Sequence, residues 1–222
     1  MAKTPINPEP QTAERLLDAA EQLFAQKGWA GASIREITQA AGVNVAAAHY
    51  HFGSKEALLA AVIERHMAQI MAERIRLLDE AEAAGPADLS GIVRAFVLPI
   101  LSQAEEPDRG RCLLQLVGRT FGDPDGPWRT ACESPVFEST RNRFHAAFSR
   151  CLPGLNGTQV HWRIHFLMGS LVHVVLHGEL ISRSTGGALD ASNLGSVQDE
   201  LIAFLVGGLA VDDPASEPEV CD

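Results

Sequence analysis

The 222-residue sequence has no apolar run long enough to cross a bilayer, and none near its N-terminus that resembles a signal peptide. These absences predict a cytoplasmic protein. The four cysteines are widely separated and include no CxxC pair, which argues against a zinc ribbon or a thioredoxin-like redox site. We therefore expect reduced, structural thiols.

A net positive charge is also missing, because 18 basic residues face 28 acidic ones and the formal charge is −10. DNA binding requires Lys and Arg to neutralise phosphates, so this total alone disfavours it. The acid excess is uneven, however: residues 1–66 carry six basic and seven acidic side chains, and the other 156 residues carry 12 and 21. A nearly neutral N-terminal segment can bind DNA if its few cations share a surface with helix N-termini and hydroxyl groups.

Recognisable catalytic patterns are absent as well. The sequence has no HExxH, no Glu-x-x-His di-iron pattern, no nucleophile–base pair and no phosphate-cradling glycine loop. Two histidine pairs, His161/His165 and His173/His177, have the i, i+4 spacing of metal ligands, but on one helix they spread over about 160°, which is too wide for a single ion. We expect no metal and no cofactor, and keep a helical-bundle enzyme as an alternative.

Apolar residues at three- and four-residue steps dominate the chain, which predicts an all-α protein of about nine helices. We divide it into a head (residues 1–60), a larger body (61–211) and a disordered acidic tail (212–222). The predicted helices are Thr12 to Gln26, Ile34 to Ala40, Val45 to His51, Lys55 to Ala83, 88–101, Cys112 to Phe121, Val136 to Cys151, Gln159 to Ser182, and a last helix from Ser196.

Clear start signals precede the short helices of the head. Ser33 and Glu36 form a Ser-x-x-Glu capping box, and Asn44 is a good N-cap after the turn at residues 41–43. Two short helices joined by a tight turn form the helix-turn-helix arrangement, in which the second helix enters the major groove of DNA.

The string AGVNVAAAHYHFGSKEALL at residues 41–59, with GWAGASIREI before it, resembles the tetracycline-repressor family of transcriptional regulators. The resemblance implies a three-helix DNA-binding head on a helical body that binds a ligand and dimerises. It further implies a repressor that leaves a palindromic operator when a small hydrophobic or acidic effector binds. The segment is similar to a subgroup that includes regulators of fatty-acid metabolism, which adds acyl compounds to the candidate effectors. A family member that has lost DNA binding is the alternative.

Carried over position by position, the resemblance assigns Val45, Ala46 and Ala47 to the base-facing surface of the recognition helix. Because these side chains form no hydrogen bonds with base edges, we expect Arg35 to be the direct reader of guanine. The other implied positions contact phosphates or brace the helix: Ser33, Asn44, His49, Tyr50, His51 and Lys55. His49 replaces the tyrosine that is common in the family, so the phosphate contact at this position stays open.

By the same analogy, a cavity among the body helices holds the effector. The candidate apolar lining residues are Phe96, Leu116, Phe144 and Phe166. The candidate polar residues, which could hold an acidic or hydroxylated end of the effector, are Arg119, Arg141 and His173. We expect the last two helices to form the dimer interface, since apolar residues recur there at four-residue steps beside Gly207 and Gly208: Val197, Leu201, Leu205 and Leu209.

Overall fold

A computed structural model describes residues 8–83, 85, 88–105, 133–189 and 194–211, with the single positions 110, 114 and 118. These residues form helices and turns and no strand, so the predicted all-α class is confirmed. The helices are α1 (Pro8–Gly31), α2 (Ile34–Ala41), α3 (Val45–Phe52), α4 (Lys55–Ala83), α5 (Leu89–Glu105), α6 (Pro135–Cys151), α7 (Gly157–Leu176), α8 (Gly178–Ser184) and α9 (Leu194–Ala210). Most of the predicted helix from Cys112 to Phe121, and the tail, lie outside the described residues.

The chain forms two compact units. The first comprises residues 1–69 and 106–134, and the second comprises residues 70–105 and 135–222. The division falls within α4, between Gln69 and Ile70. In the structure we take residues 8–69 as the head and the second unit as the body, instead of the predicted ranges 1–60 and 61–211.

The core of the head is built by the apolar faces of α1, α2, α3 and the first half of α4. Its fully buried side chains are Leu16, Ala20, Phe24, Ile37, Ala48, Leu58, Val62 and Ile63. Arg65 of α4 adds ion pairs to α1, with Glu14 at 3.3 Å, Asp18 at 2.8 Å and also Glu21. Gly28 interrupts α1 with φ 68° and ψ 175°, a conformation that costs glycine little because it has no Cβ.

The core of the body centres on α5, whose buried face includes Ile92, Val93 and Val97. The last helix, α9, packs against α5. Its stripe of Leu201, Leu205 and Leu209 is at most 6% exposed in the single chain. These three leucines, which the sequence analysis assigned to the dimer interface, therefore belong to the core of one protomer, because α5 supplies an apolar surface for them.

The predicted continuous helix from Gln159 to Ser182 is wrong in one respect, since it breaks between α7 and α8. His177 has φ −113° and ψ 20°, outside the α-helical region, and Gly178, a poor helix former, follows it. The two segments are bent by 77°. No single helix among the described residues has the length and mean hydropathy needed to cross a bilayer, and α7 and α8 meet that test only as a bent pair.

Candidate nucleic-acid interface

The start of α2 is held by the capping box predicted from sequence. The Glu36 amide donates to Ser33 Oγ at 3.2 Å, and the Ser33 amide donates to Glu36 Oε2 at 3.0 Å. Lys27 Nζ donates to the other carboxylate oxygen of Glu36 at 2.6 Å. The hydrogen bonds from Lys27 and then Ser33 lower the pKa of Glu36 from 4.5 to about 2. The carboxylate therefore stays ionised and ties α1 to the start of α2.

The turn between α2 and α3 is fixed by Gly42 and by Arg15 of α1. Gly42 has φ 64°, and its amide donates to the Gln39 carbonyl at 3.1 Å. Arg15 Nη2 donates to the carbonyl oxygens of Ala41 and, at 3.1 Å, of Gly42. The left-handed φ favours glycine here, and a Cβ at position 42 would lie 2.8 Å from Arg15 Nη2 and force the end of that side chain to move.

Helix α3 begins at the predicted N-cap, where the Ala47 amide donates to Asn44 Oδ1 at 2.8 Å. Ala48 is buried in the core of the head, whereas Val45 is 41% exposed and Tyr50 is 74% exposed. Ala46 is exposed and Ala47 is half-buried. The structure therefore brings the candidate base-facing residues to the surface at the start of α3, and that surface is apolar.

Four of the six candidate phosphate contacts are engaged by protein groups: Ser33 and Asn44 as the helix caps described above, and His49 and Lys55 through carbonyl oxygens. His49 Nδ1 lies 2.8 Å from the Gly53 carbonyl oxygen, a distance that fits donation from a protonated Nδ1. Lys55 Nζ donates to the Trp29 carbonyl at 2.6 Å and sits 4.1 Å from the centroid of the Trp29 ring. Both side chains thus hold the head together, and their contact with phosphate stays a prediction.

Arg35 differs from the other cations of the head. The described residues of the head contain five Lys and Arg side chains, and four of them bind protein groups: Arg15, Lys27, Lys55 and Arg65. Within the same residues, Arg35 has an exposed side chain with no hydrogen bond or ion pair to protein. Its guanidinium is therefore available to an external acceptor.

The candidate effector residues of the body do not share one place. Phe96 and Phe144 are buried and meet edge to face, with ring centroids 5.1 Å apart. Arg141 and His173 are exposed, and Phe166 is 65% exposed. Leu116 and Arg119 lie outside the described residues. The structure thus brings together two of the five candidates that it describes.

Arg74, a buried residue in the part of α4 that belongs to the body, is not among the site residues predicted from the sequence. It is 2% exposed and lies against Phe96. The sequence contains a pattern that indicates its burial, because Arg74 is four residues from both Ile70 and Leu78 and so shares their buried helix face. Across the described ranges, no three His, Cys, Asp or Glu side chains are placed to hold a metal ion.

Two regions of the chain match known protein families. Residues 16–62 match the family described as bacterial regulatory proteins of the tetR family. Residues 94–208, more than half of the chain, match the tetracyclin repressor-like C-terminal domain. The chain belongs to the tetracycline-repressor family. Its members are transcription regulators that bind DNA and are not enzymes, which excludes the helical-bundle enzyme.

Known relatives agree with this assignment. The regulator AcrR of Shigella flexneri is 28% identical over 117 residues, which is 53% of each chain. The regulator BetI of Rhizobium meliloti is 28% identical over 127 residues, 51% of this chain and 62% of its own. The chain therefore spans less than two thirds of the length of either relative.

Solved structures share the fold at low sequence identity. FadR from Bacillus halodurans, a fatty acid degradation regulator, superposes with a TM-score of 0.65 at 18% identity and covers 88% of this chain and 98% of its own. FadR from Bacillus subtilis, solved in complex with stearoyl-CoA, gives a TM-score of 0.61 at 15% identity with the same coverage. At these identities the likeness concerns the fold alone.

Proposed function

We propose that this regulator is a homodimeric repressor that binds a palindromic operator through α2 and α3 and is released by a small hydrophobic or acidic effector. The observation that carries the proposal is the exposed Arg35 without a protein partner in the described head. Such a repressor acts in the cytoplasm, where the operator is.

Arg35 supplies the hydrogen-bonding part of operator recognition. A guanidinium can donate two hydrogen bonds to O6 and N7 of guanine, and the small apolar side chains of Val45 and Ala46 can pack against thymine methyl groups. Backbone amides at the starts of α2 and α3, with the side-chain amide of Asn44, suit phosphate contacts that fix the position of the head, whereas the Ser33 hydroxyl donates to Glu36 Oε2 at 2.7 Å and braces α2. Specificity then depends on one arginine together with methyl contacts and DNA shape.

An exposed aromatic surface on α7 and α9 supports dimerisation through these helices. Trp162 and Phe166 are 60% and 65% exposed, and their rings stack with centroids 5.9 Å apart. Phe204 on α9 is 68% exposed and lines a groove with Phe166 and Gly208. Gly208 has open space where a Cβ would be, so a helix of a second copy can approach closely. Clustered exposed apolar side chains of this kind mark an interaction surface.

Light scattering on Phe204→Asp tests the interface. Residue 204 is exposed, so the substitution adds a charge to the proposed contact without disturbing the protomer core, whereas the buried Leu205 would report on folding instead. We expect monomers for Phe204→Asp and dimers for the matched control Val136→Asp, which changes a 48% exposed residue of α6. Dimers of the Phe204 variant would contradict the interface.

Relatives support the remaining parts of the proposal. NemR of Escherichia coli, named as a transcriptional repressor, is 36% identical over 74 residues, 33% of this chain and 37% of its own. The Bacillus subtilis FadR structure contains stearoyl-CoA, which supports an acyl effector here. Release requires that the effector binds the DNA-free conformation more tightly than the operator-bound one.

Transcription in vitro tests repression and release together. An operator selected from random DNA by the protein is placed at a promoter, and transcripts are measured with increasing protein and then with added acyl compounds. We expect transcription to fall with protein and to recover with an effector. A rise with protein would indicate an activator, and failure to select any DNA would indicate that DNA binding has been lost.

A further inference from the structure

Arg74 is a buried cation whose hydrogen-bonding capacity is only partly used. Its Nε donates to the Phe96 carbonyl at 2.8 Å, and its Cζ lies 3.7 Å from the centroid of the Phe96 ring. Nη1 has only the thioether sulfur of Met71 at 4.0 Å, which is a weak acceptor. Nη2 has no hydrogen-bond partner within the described part of the chain. The outer edge of the guanidinium therefore faces no oxygen acceptor there.

Neighbouring arginines of the body show how unusual this is. Arg143 pairs with Asp79 and Glu82, Arg150 pairs with Glu82, and Arg76 pairs with Glu73. All three of these acids lie on α4 itself, within about two turns of Arg74. Among the described ion pairs of the body, none includes Arg74. The one fully buried arginine of this set is thus the one without a carboxylate.

Burial acts against the charge of Arg74 but does not remove it. Loss of solvent lowers the pKa of the guanidinium from 12.5 to about 9, so the group remains protonated at neutral pH. A buried charge with unsatisfied donors is costly, and such groups are normally paired with an opposite charge. An anion that binds at the free Nη1–Nη2 edge would remove this cost.

We propose that Arg74 binds an oxyanion, a carboxylate or a phosphate group, carried by an amphipathic effector whose apolar part packs against Phe96, Phe144 and Phe148. The inference rests on the proposed regulation by an effector and adds its chemical class and its anchoring residue. The two donors of a guanidinium edge match two oxygens of a carboxylate or phosphate. The phenylalanine rings are at most 5% exposed and pack on one another with centroids 5.1 to 6.3 Å apart, so the cluster must open to expose its apolar surface when the effector binds.

Three probes of equal chain length separate charge from apolar binding: decanoate, decyl phosphate and decanol. Calorimetric titration of the full chain should give affinities for the two anions at least about tenfold above that for decanol, because charge-assisted hydrogen bonds form only with the anions. Anions that bind no more tightly than decanol, or that do not bind, would overturn the inference. A preference for one anion would identify carboxylate or phosphate as the natural group.

Arg74→Met tests the residue, since methionine fills similar space and carries no charge. We expect the preference for anions over decanol to disappear, whereas the matched control Arg76→Met, an exposed arginine two residues along α4, keeps it. Arg74→Gln, which retains a donor for the Phe96 carbonyl, is the second variant and should also lose the preference. A purely structural Arg74 would change the unfolding midpoint but leave the anion preference intact, and that result would overturn the inference.

Operator release is measured in a separate experiment, so that a failure of the proposed release can be distinguished from a failure of anion binding by Arg74. If decanoate binds through Arg74 but the operator complex survives, the inference stands and the proposed release is wrong. If an effector releases the operator equally well from wild type and Arg74→Met, the release stands and the inference is wrong.

Discussion

Arg35 in the head and Arg74 in the body both have a guanidinium edge without a protein carboxylate in the described residues, yet their surroundings are opposite. Arg35 is exposed beside the apolar start of α3, and water can solvate it at no cost to the fold. Arg74 is 2% exposed and lies on a phenylalanine ring. An exposed arginine without a partner requires no explanation from stability, whereas a buried one does.

The difference indicates two kinds of binding. The other head cations are used for internal contacts, so the free guanidinium of Arg35 can exchange water for a base edge or a phosphate with little reorganisation. In the body, Arg74 keeps a charge where solvent is excluded, so an anion there would gain more from each hydrogen bond. We therefore expect the first to determine DNA sequence preference and the second to determine effector class.

The largest effect concerns the packing around Arg74. Phe96→Ala removes a 5% exposed ring that contacts Phe144, Phe148 and the Arg74 guanidinium. We expect a loss of about 3–5 kcal/mol in unfolding free energy, measured by urea denaturation. The control in the head, Tyr50→Ala, changes a 74% exposed side chain and should stay within about 0.5 kcal/mol. Equal losses for the two variants would show that the cluster of Phe96, Phe144 and Phe148 is not part of the body core.

A smaller effect tests the paired cation Arg15. Gly42→Ala places a methyl group 2.8 Å from Arg15 Nη2 at a left-handed φ of 64°, so we expect a loss of about 1–2 kcal/mol or more. Gly42→Ala in an Arg15→Ala background is the control, because the backbone cost at φ 64° is the same in both backgrounds. We expect a smaller loss there than in wild type, since the side chain that the new methyl group meets is gone. Equal losses in the two backgrounds would mean that Arg15 does not restrict the turn.

Removing the Arg15 donors directly should cost less. Arg15→Met eliminates the hydrogen bonds to the Ala41 and Gly42 carbonyls, and we expect a loss of about 1 kcal/mol in urea unfolding. Arg35→Met should leave the stability unchanged, because no described protein group accepts from its guanidinium. If the Arg35 variant were the less stable of the two, the contrast between paired and free cations in the head would be wrong.

The smallest effect is a pH dependence at Glu36. Its pKa is lowered from 4.5 to about 2 by Lys27 and Ser33, so its contribution to stability is complete above pH 4.5 and is lost as the pH falls towards 2. The difference in unfolding midpoint between wild type and Glu36→Gln should follow that course in urea denaturation at successive pH values. A constant difference down to pH 2 would show that the carboxylate is not held by these partners.

The short helices of the head were predictable because their start signals are local. Ser33, Glu36 and Asn44 make the hydrogen bonds that their spacing predicts, and Gly42 takes the left-handed conformation of a turn. The fixing of the turn by Arg15, 27 positions earlier, was not predictable, since it depends on the way α1 packs on α2. The same holds for Lys55, whose position suggests a phosphate contact while its ammonium binds the Trp29 carbonyl.

In the body, periodicity identified the helices but not their neighbours. Leu201, Leu205 and Leu209 share an apolar face, and only tertiary packing decides whether that face meets α5 or a second copy. Phe204, one residue away from Leu205, is the exposed one. The role of Arg74 was not predicted, because an arginine on a long helix normally faces solvent and its burial depends on Phe96 from another helix.

Selection of bound fragments from a random DNA pool, with wild type and Arg35→Ala in parallel, tests the central claim most directly. Wild type should enrich a palindrome with half-sites about one helical turn or more apart and an invariant guanine in each. Arg35→Ala should enrich the same palindrome with that guanine randomised and bind it more weakly by about 1–3 kcal/mol. An unchanged guanine preference in the variant would contradict recognition by Arg35, and no enriched sequence with wild type would contradict the repressor itself.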